Sequence, residues 1–215
     1  MMFATGLSGG AWQASWEGEF SVITATAGGL ERSAVLNINP GSPPPPGNTG
    51  LRSPAADAAG SGGDGDGFQA SPTNAYADDG LFAVDTDSGS GTSTSCTGSS
   101  KDKHVFRDYG LSIPNGSTVR GIEVRLDAKA DSTSGSPKLC VQLSWDGGSS
   151  WTSAKSTSTL GTTEATRMLG SATDTWGRTW TSGDLSNANF RVRVISVASS
   201  TSRDFSLDWV AVRAY

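Results

Sequence analysis

The feature that most constrains the fold is a strict alternation of apolar and charged side chains in residues 119–129. Ile122, Val124, Leu126 and Ala128 occupy every second position, and charged residues stand between them. Alternate residues of an extended chain lie on opposite faces, so this pattern predicts an antiparallel strand with one buried and one solvated face. Similar alternation recurs in residues 139–145, 190–194 and 205–214, and more weakly in residues 81–85, 104–111, 151–155 and 163–169.

The composition agrees with a fold built from many short strands. Glycine accounts for 28 of the 215 residues and charged residues for only 17%, whereas helix-rich soluble proteins rely on Ala, Leu, Glu and Lys. About eight strands joined by Gly- and Ser-rich turns predict an all-β protein, with an antiparallel β-sandwich of the jelly-roll type over residues 68–215. The alternation slips at residues 195–197, which predicts a β-bulge or a local twist there.

A β-hairpin is predicted within residues 1–40. Apolar residues alternate in residues 19–26 and again in 32–38, on either side of a glycine turn. A two-stranded hairpin cannot bury an apolar face alone. We therefore expect residues 16–39 to associate with another copy of the chain or to dock on the sandwich.

Residues 41–67 are predicted to link the hairpin to the sandwich. Residues 43–46 are four consecutive prolines, which favour the semi-rigid polyproline II conformation. The Gly-, Ala- and Asp-rich residues 51–67 offer little to bury and are predicted to be loop.

Two parts of the chain resemble known families. Residues 20–38 and the linker after them resemble the last two strands of a bacterial immunoglobulin-like domain, which implies that residues 1–40 are the remnant of such a domain. The main body resembles a recurring C-terminal unit of large secreted bacterial surface proteins and phage structural proteins, in residues 74–89, 109–126, 141–155, 173–194 and 204–215. That resemblance implies a β-sandwich and an extracellular or cell-surface location, and it transfers no activity.

Charge and hydropathy argue against two classes of partner. The net charge is −5 and the Lys and Arg residues do not cluster, so a nucleic-acid surface is not expected. No apolar run approaches the roughly 18 residues that a membrane-spanning helix needs. The first residues lack a basic region followed by an apolar one, so we expect an export signal upstream in a longer polypeptide.

The two cysteines, Cys96 and Cys140, are predicted to form a disulfide. A disulfide agrees with a secreted protein, because thiols stay reduced in the cytosol. The alternative is a pair of free thiols in a cytosolic protein.

A structural calcium ion is the predicted cofactor, held by Asp208 with Asp78 or Asp79. Asp208 alternates with Val210 and Val212, and a carboxylate on an apolar face is costly unless it is paired or bound to a metal. The segment resembles the closing strand of calcium-stabilised jelly-roll carbohydrate-binding modules, where an Asp before an aromatic residue binds the ion. The alternative is an Asp208 carboxylate bonded to loop amides, to Arg203 or to Arg213.

Other aspartates also stand in glycine-rich segments. Asp64 and Asp66 lie in one such segment, and Asp85 and Asp87 lie in another. Glycine lets the backbone curl so that carbonyl oxygens can join carboxylates around a hard cation. The alternative, which we favour for each pair alone, is that Asp and Gly simply form turns.

Four residues are predicted to contact a ligand: Trp151, Trp176, Arg178 and Trp180. The three tryptophans lie in or near turns, where an indole ring can stack on the face of a sugar. Packing at the core, or a cation–π contact between Arg178 and its neighbouring tryptophans, is the alternative. Trp145 and Trp209 alternate with apolar residues and are predicted to belong to the core.

Motifs for catalysis are weak. The single histidine, His104, lies among charged residues and is predicted to be a solvated strand end. A glycoside hydrolase would need two neighbouring carboxylates, and the candidates are Glu123, Asp127, Asp146, Glu164, Asp174 and Asp184.

The sequence therefore predicts a secreted, non-catalytic module that binds glycans or the cell envelope. A structural protein that assembles through its N-terminal hairpin is the first alternative, and a polysaccharide hydrolase is the second.

Overall fold

The computed structural model describes the backbone of residues 11–17, 20–27 and 30–36, and residues 47–215 in full. The chain divides into two compact units, residues 1–47 and residues 48–215. The described residues contain no helix that is both long enough and apolar enough to cross a membrane.

The first unit contains a three-stranded antiparallel sheet. Its strands are β1 (Ala11–Glu17), β2 (Phe20–Ala27) and β3 (Leu30–Leu36), in the order β1-β2-β3. Strands β2 and β3 form the hairpin expected from the sequence, and β1 is an additional strand that the sequence analysis missed. The polyproline run of residues 43–46 lies outside the described residues, as does part of the segment expected to self-associate, residues 16–39.

The second unit consists of nine strands and one short 3-10 helix at Pro72–Ala75. The strands are β4 (Ala56–Ala59), β5 (Ala83–Asp85), β6 (Lys103–Arg107), β7 (Ile122–Ala130), β8 (Lys138–Ser144), β9 (Lys155–Ser156), β10 (Ala165–Gly170), β11 (Arg191–Val197) and β12 (Phe205–Ala214).

The strand order of the second unit is that of a jelly roll. One sheet has the order β10-β7-β12-β5 and the other has the order β4-β6-β11-β8-β9, and all pairs are antiparallel. From β5 to β12 the chain crosses from one sheet to the other at each connection except the one between β8 and β9. The outer strands thereby pair with strands distant in sequence, as in a double Greek key. The predicted all-β sandwich is confirmed.

The core lies between the two sheets and is formed by alternate residues of each strand. On β7, the residues with even numbers from Ile122 to Ala130 are at most 2% exposed, as the alternation predicted. On β8, Leu139, Val141 and Leu143 face the same core. Burial of these side chains supplies the main stabilisation, at about 25 cal/mol for each Å² of apolar surface.

The β-bulge predicted at residues 195–197 is wrong, because β11 pairs with β8 without a register shift from Arg191 to Val197. Ile195 and Val197 instead form a small apolar cluster with Cys140 on the outer face of the sheet, so both faces of β11 are apolar there. The bulge lies in β12 instead, between Leu207 and Trp209.

Residues 51–67, predicted to be loop, belong to the sandwich. Strand β4 pairs with β6 at the edge of the five-stranded sheet, and Arg52 exchanges two backbone hydrogen bonds with Val212. Asp57 on β4 accepts hydrogen bonds from His104 and from the Tyr76 hydroxyl. The apolar pattern missed this strand because three of its four residues are alanines, which give no clear alternation, and its pairing depends on partners distant in sequence.

His104 is buried, with 2% exposure, so its prediction as a solvated strand end is wrong. Its Nδ1 accepts the backbone N–H of Phe68 at 3.1 Å, and its Nε2 lies 2.9 Å from Asp57 Oδ1. These contacts require a neutral imidazole that carries its proton on Nε2. Burial lowers the pKa of His104, which agrees with a neutral structural residue that ties β4 to β6.

Candidate functional site

Two loops of the sandwich form an open cleft of about 390 Å³ between them. One loop connects β8 to β9, and the other connects β10 to β11. The cleft, called the tryptophan cleft below, is lined by Trp145, Trp151, Thr152, Ser153, Trp176, Gly177 and Arg178. Three of the four predicted ligand contacts are therefore brought together, although they are distant in sequence.

Arg178 organises one side of the tryptophan cleft. Its guanidinium carbon lies 4.0 Å from the centre of the Trp145 ring and 4.6 Å from that of Trp180. An ion pair with Asp184 at 3.3 Å holds the side chain in this position. The cation–π alternative is thus present for Arg178, and it fixes a charged donor on the wall of the cleft.

Trp145 and Trp180 do not lie where the sequence predicted them. Trp145 is only half-buried and lines the cleft, although its alternation placed it in the core. Trp180 is 2% exposed, packs edge-on against Trp145 and Phe190, and does not line the cleft. Trp180 thus packs against the Trp145 ring from the core.

Trp176 is held in an uncommon backbone conformation. Its φ is 54°, in the left-handed region, which non-glycine residues rarely adopt without compensating contacts. Its amide donates to Asp174 Oδ1 at 2.9 Å, and its indole N–H donates to the Ile122 carbonyl at 2.8 Å. These bonds fix the ring, which is 5% exposed, in the wall of the cleft.

Trp151 is the half-buried ring on the other side of the cleft. The Arg193 guanidinium lies 3.9 Å from its ring centre. Gln142 holds Arg193 through its Oε1 and donates to the Thr152 carbonyl, which connects both residues to the loop. Burial lowers the pKa of Arg193 below its ordinary value. An arginine thus covers one face of each half-buried ring, Trp145 and Trp151, instead of leaving both faces exposed.

Asp78, Asp79 and Asp208, the predicted calcium ligands, make other contacts. Asp208 is 1% exposed, and its Oδ1 accepts the amides of Asp79 and Gly80, which was the alternative expected from the sequence. Asp78 pairs with Arg125 at 2.9 Å. Backbone amides and the Arg125 guanidinium thus occupy oxygens that the calcium prediction assigned to the ion.

The carboxylates considered for a hydrolase are mostly engaged in local contacts. The exception in the group is Glu164, whose pKa is raised by burial and by the neighbouring Asp208. Asp174 pairs with Lys155 and Asp184 with Arg178, at the rim of the cleft. The others bind as follows: Glu123 with Arg213, Asp127 with Arg125, and Asp146 with Ser144 and Ser150.

Comparisons with known proteins leave the family open. The sequence matches no protein family model and no curated protein. Among solved structures it is similar to one described as "Truncated AlyQ with CBM32 and alginate lyase domains", with 15% identity and a TM-score of 0.38. The match covers 76% of this chain and 32% of that chain, so this protein spans about a third of that structure. This similarity is too low to assign a family to the chain or a ligand to the cleft.

Proposed function

We propose that this chain is a secreted, non-catalytic module that binds glycans or another polymer of the cell envelope through the tryptophan cleft. The observation that carries the proposal is the convergence of Trp151, Trp176 and Arg178, together with Trp145, in one open cleft. Ligand sites are typically concave and lined by aromatic side chains with a few polar groups.

The composition of the cleft suits a sugar ring. A pyranose has an apolar face that packs on indole, and hydroxyl groups that need hydrogen-bond partners at its edge. Thr152, Ser153 and Arg178 line the same cleft and offer such donors and acceptors. The disulfide between Cys96 and Cys140 supports an extracellular location for this activity.

Removing an aromatic side chain that lines the cleft should weaken binding. We expect Trp151→Ala to weaken binding by at least about tenfold, because truncation of a central aromatic residue commonly removes more than 1.4 kcal/mol of binding free energy. Affinity gel electrophoresis would measure this binding. The wild-type chain is first run in neutral polysaccharides, uronic-acid polysaccharides and peptidoglycan. The variant is then compared with it in the polymer that retards the wild-type chain.

Trp209→Ala is the matched control for that experiment. Trp209 is also half-buried and stacked with an arginine, Arg125, at 4.7 Å, but it lies outside the cleft. Trp209→Ala should bind like the wild type. Equal losses in the two variants, or none in Trp151→Ala, would contradict the proposal.

Assembly through the N-terminal unit is a second candidate function. In the three-stranded sheet, β1 and β3 are the outer strands, and outer strands offer backbone groups for pairing with another chain. If residues 1–47 mediate self-association, their removal should shift the chain towards a monomer in sedimentation velocity.

A further inference from the structure

Three aspartates from two distant segments meet at one end of the five-stranded sheet. Asp64 and Asp66 lie in the glycine-rich loop after β4, and Asp102 directly precedes β6. One carboxylate oxygen from each of the three lies within 4.8 Å of the others. Oxygen ligands at 2.3–2.6 Å from a calcium ion lie up to about 5 Å apart, so this spacing suits a common cation.

A fourth carboxylate, Asp85, is the independent observation that points to a ligand. Asp85 ends strand β5 of the opposite sheet and is 0% exposed, and both of its oxygens lack a hydrogen-bond partner. Such a group is costly unless it is paired or bound to a metal. The hydroxyl of Ser196 lies beside Asp85, and the amide of Ser196 donates to the Asp102 carbonyl at 3.2 Å, which brings Asp85 near the other three.

Asp102 is likewise a buried carboxylate with an oxygen that has no hydrogen-bond partner. It is 1% exposed, and its Oδ1 accepts the amide of Asp64 at 3.1 Å, while its Oδ2 is buried without a partner. Asp66 also has one buried oxygen, Oδ1, without a partner.

A protein cation does not explain these carboxylates. Lys101 is the buried basic residue beside Asp102, and its ammonium donates to the Ala198 carbonyl at 2.7 Å and contacts the Ser88 hydroxyl at 3.5 Å. Within residues 47–215, no Lys, Arg or His nitrogen lies within 4.0 Å of a carboxylate oxygen of Asp64, Asp66, Asp85 or Asp102. The four carboxyl groups therefore lack direct ion pairs with the protein.

The backbone of the loop after β4 passes very close to the Asp102 carboxylate. Gly63 has a φ of +67°, and a Cβ at that position would lie only 1.8 Å from Asp102 Oδ1. Glycine is thus required for the loop to wrap over the Asp102 carboxylate, which brings Asp64 and Asp66 to it.

We infer that Asp64, Asp66 and Asp102 bind a calcium ion that ties the loop after β4 to β6, with the buried carboxyl of Asp85 beside the site. An all-oxygen set of carboxylates selects a hard cation over zinc or copper. Calcium tolerates irregular geometry and several carboxylate ligands, whereas magnesium demands a near-octahedral arrangement and retains more of its water.

Isothermal titration of the full-length, chelator-treated chain with calcium chloride tests this inference. We expect one ion per chain, and a rise in melting temperature of about 5–10 °C at a calcium concentration 100 times the dissociation constant. Asp64→Asn and Asp102→Asn should each weaken calcium binding by at least about tenfold. Asp64 is exposed, so its variant should keep the wild-type melting temperature in chelator.

Two further variants make the test specific. Asp208→Asn, at a buried carboxylate that accepts the amides of Asp79 and Gly80, is the matched control and should bind calcium within about twofold of the wild type. Asp85→Asn should weaken the calcium response, because it removes a carboxyl beside the site, and should melt above the wild type in chelator, because an amide replaces an unpaired buried carboxyl. Absence of calcium binding up to about 10 mM, or a response that persists in both Asp64→Asn and Asp102→Asn, would overturn the inference.

Discussion

Removing residues 1–47 is expected to leave a folded sandwich, whereas removing residues 1–67 should lower its free energy of unfolding by more than about 3 kcal/mol. The compact second unit begins at Asn48. Between residues 48 and 67 the chain contributes β4 and the backbone bonds of Arg52, so these residues are part of the sandwich.

The size of the effect follows from the groups that the longer truncation leaves behind. Without Asp57, the buried Nε2–H of His104 and the hydroxyl of Tyr76 lose their acceptor. Each buried donor left unsatisfied costs about 1–3 kcal/mol. Loss of β4 also exposes the edge of β6, including the covered side of Phe106, which is 0% exposed in the intact chain.

Urea denaturation of the two truncated chains would measure the difference, with the full-length chain as reference. Asp57→Asn in the shorter truncation is a matched variant, because it keeps an acceptor oxygen and should lose less stability than removal of the whole strand. Equal unfolding free energies for the two truncated chains would contradict the assignment of residues 48–67 to the sandwich.

Reduction of the disulfide is expected to cost about 4 kcal/mol of stability. Cys96 and Cys140 are joined, as the sequence analysis expected, across a separation of 44 residues. In the chain-entropy description, a cross-link of this span restricts the unfolded chain by that amount at 25 °C. The bond fixes the Ser- and Thr-rich loop after β5 to the outer face of β8, beside Ile195 and Val197.

The measurement compares urea midpoints with and without a reductant. The variant with both cysteines replaced by alanine is the control, because its midpoint should match the reduced wild type and should not respond to reductant. A wild-type midpoint that is the same in both conditions would show that the bond adds no stability.

The sequence predicted those strands in which apolar and polar residues clearly alternate. Residues 122–130 alternate because one face of β7 meets the core and the other meets water. Strand β4 shows no such alternation, because three of its four residues are alanines and its position depends on Asp57 meeting His104 and Tyr76 across the fold. The loop prediction for residues 51–67 therefore failed at residues 56–59.

The sequence predicted three of the residues that line the cleft, but not which other residues join them. Trp151, Trp176 and Arg178 stand in turns, where the sequence already suggests exposure and ligand contact. Trp145 follows the alternation of β8 into the loop, so its position in the cleft depends on how two distant loops meet. The aspartates show the same limit, since Asp64 and Asp102 are 38 residues apart in sequence and only the packing of the sandwich joins them.

The central claim, that the tryptophan cleft holds the glycan, is tested most directly by the indole N–H resonances of the labelled chain. Titration with an oligosaccharide from the polymer that retards the chain should shift the signals of Trp145, Trp151 and Trp176, which line the cleft. The signal of Trp209, whose indole N–H donates to Ser53 outside the cleft, should stay in place. Saturable binding that moves the Trp209 signal and leaves those of Trp145, Trp151 and Trp176 unchanged would contradict the claim.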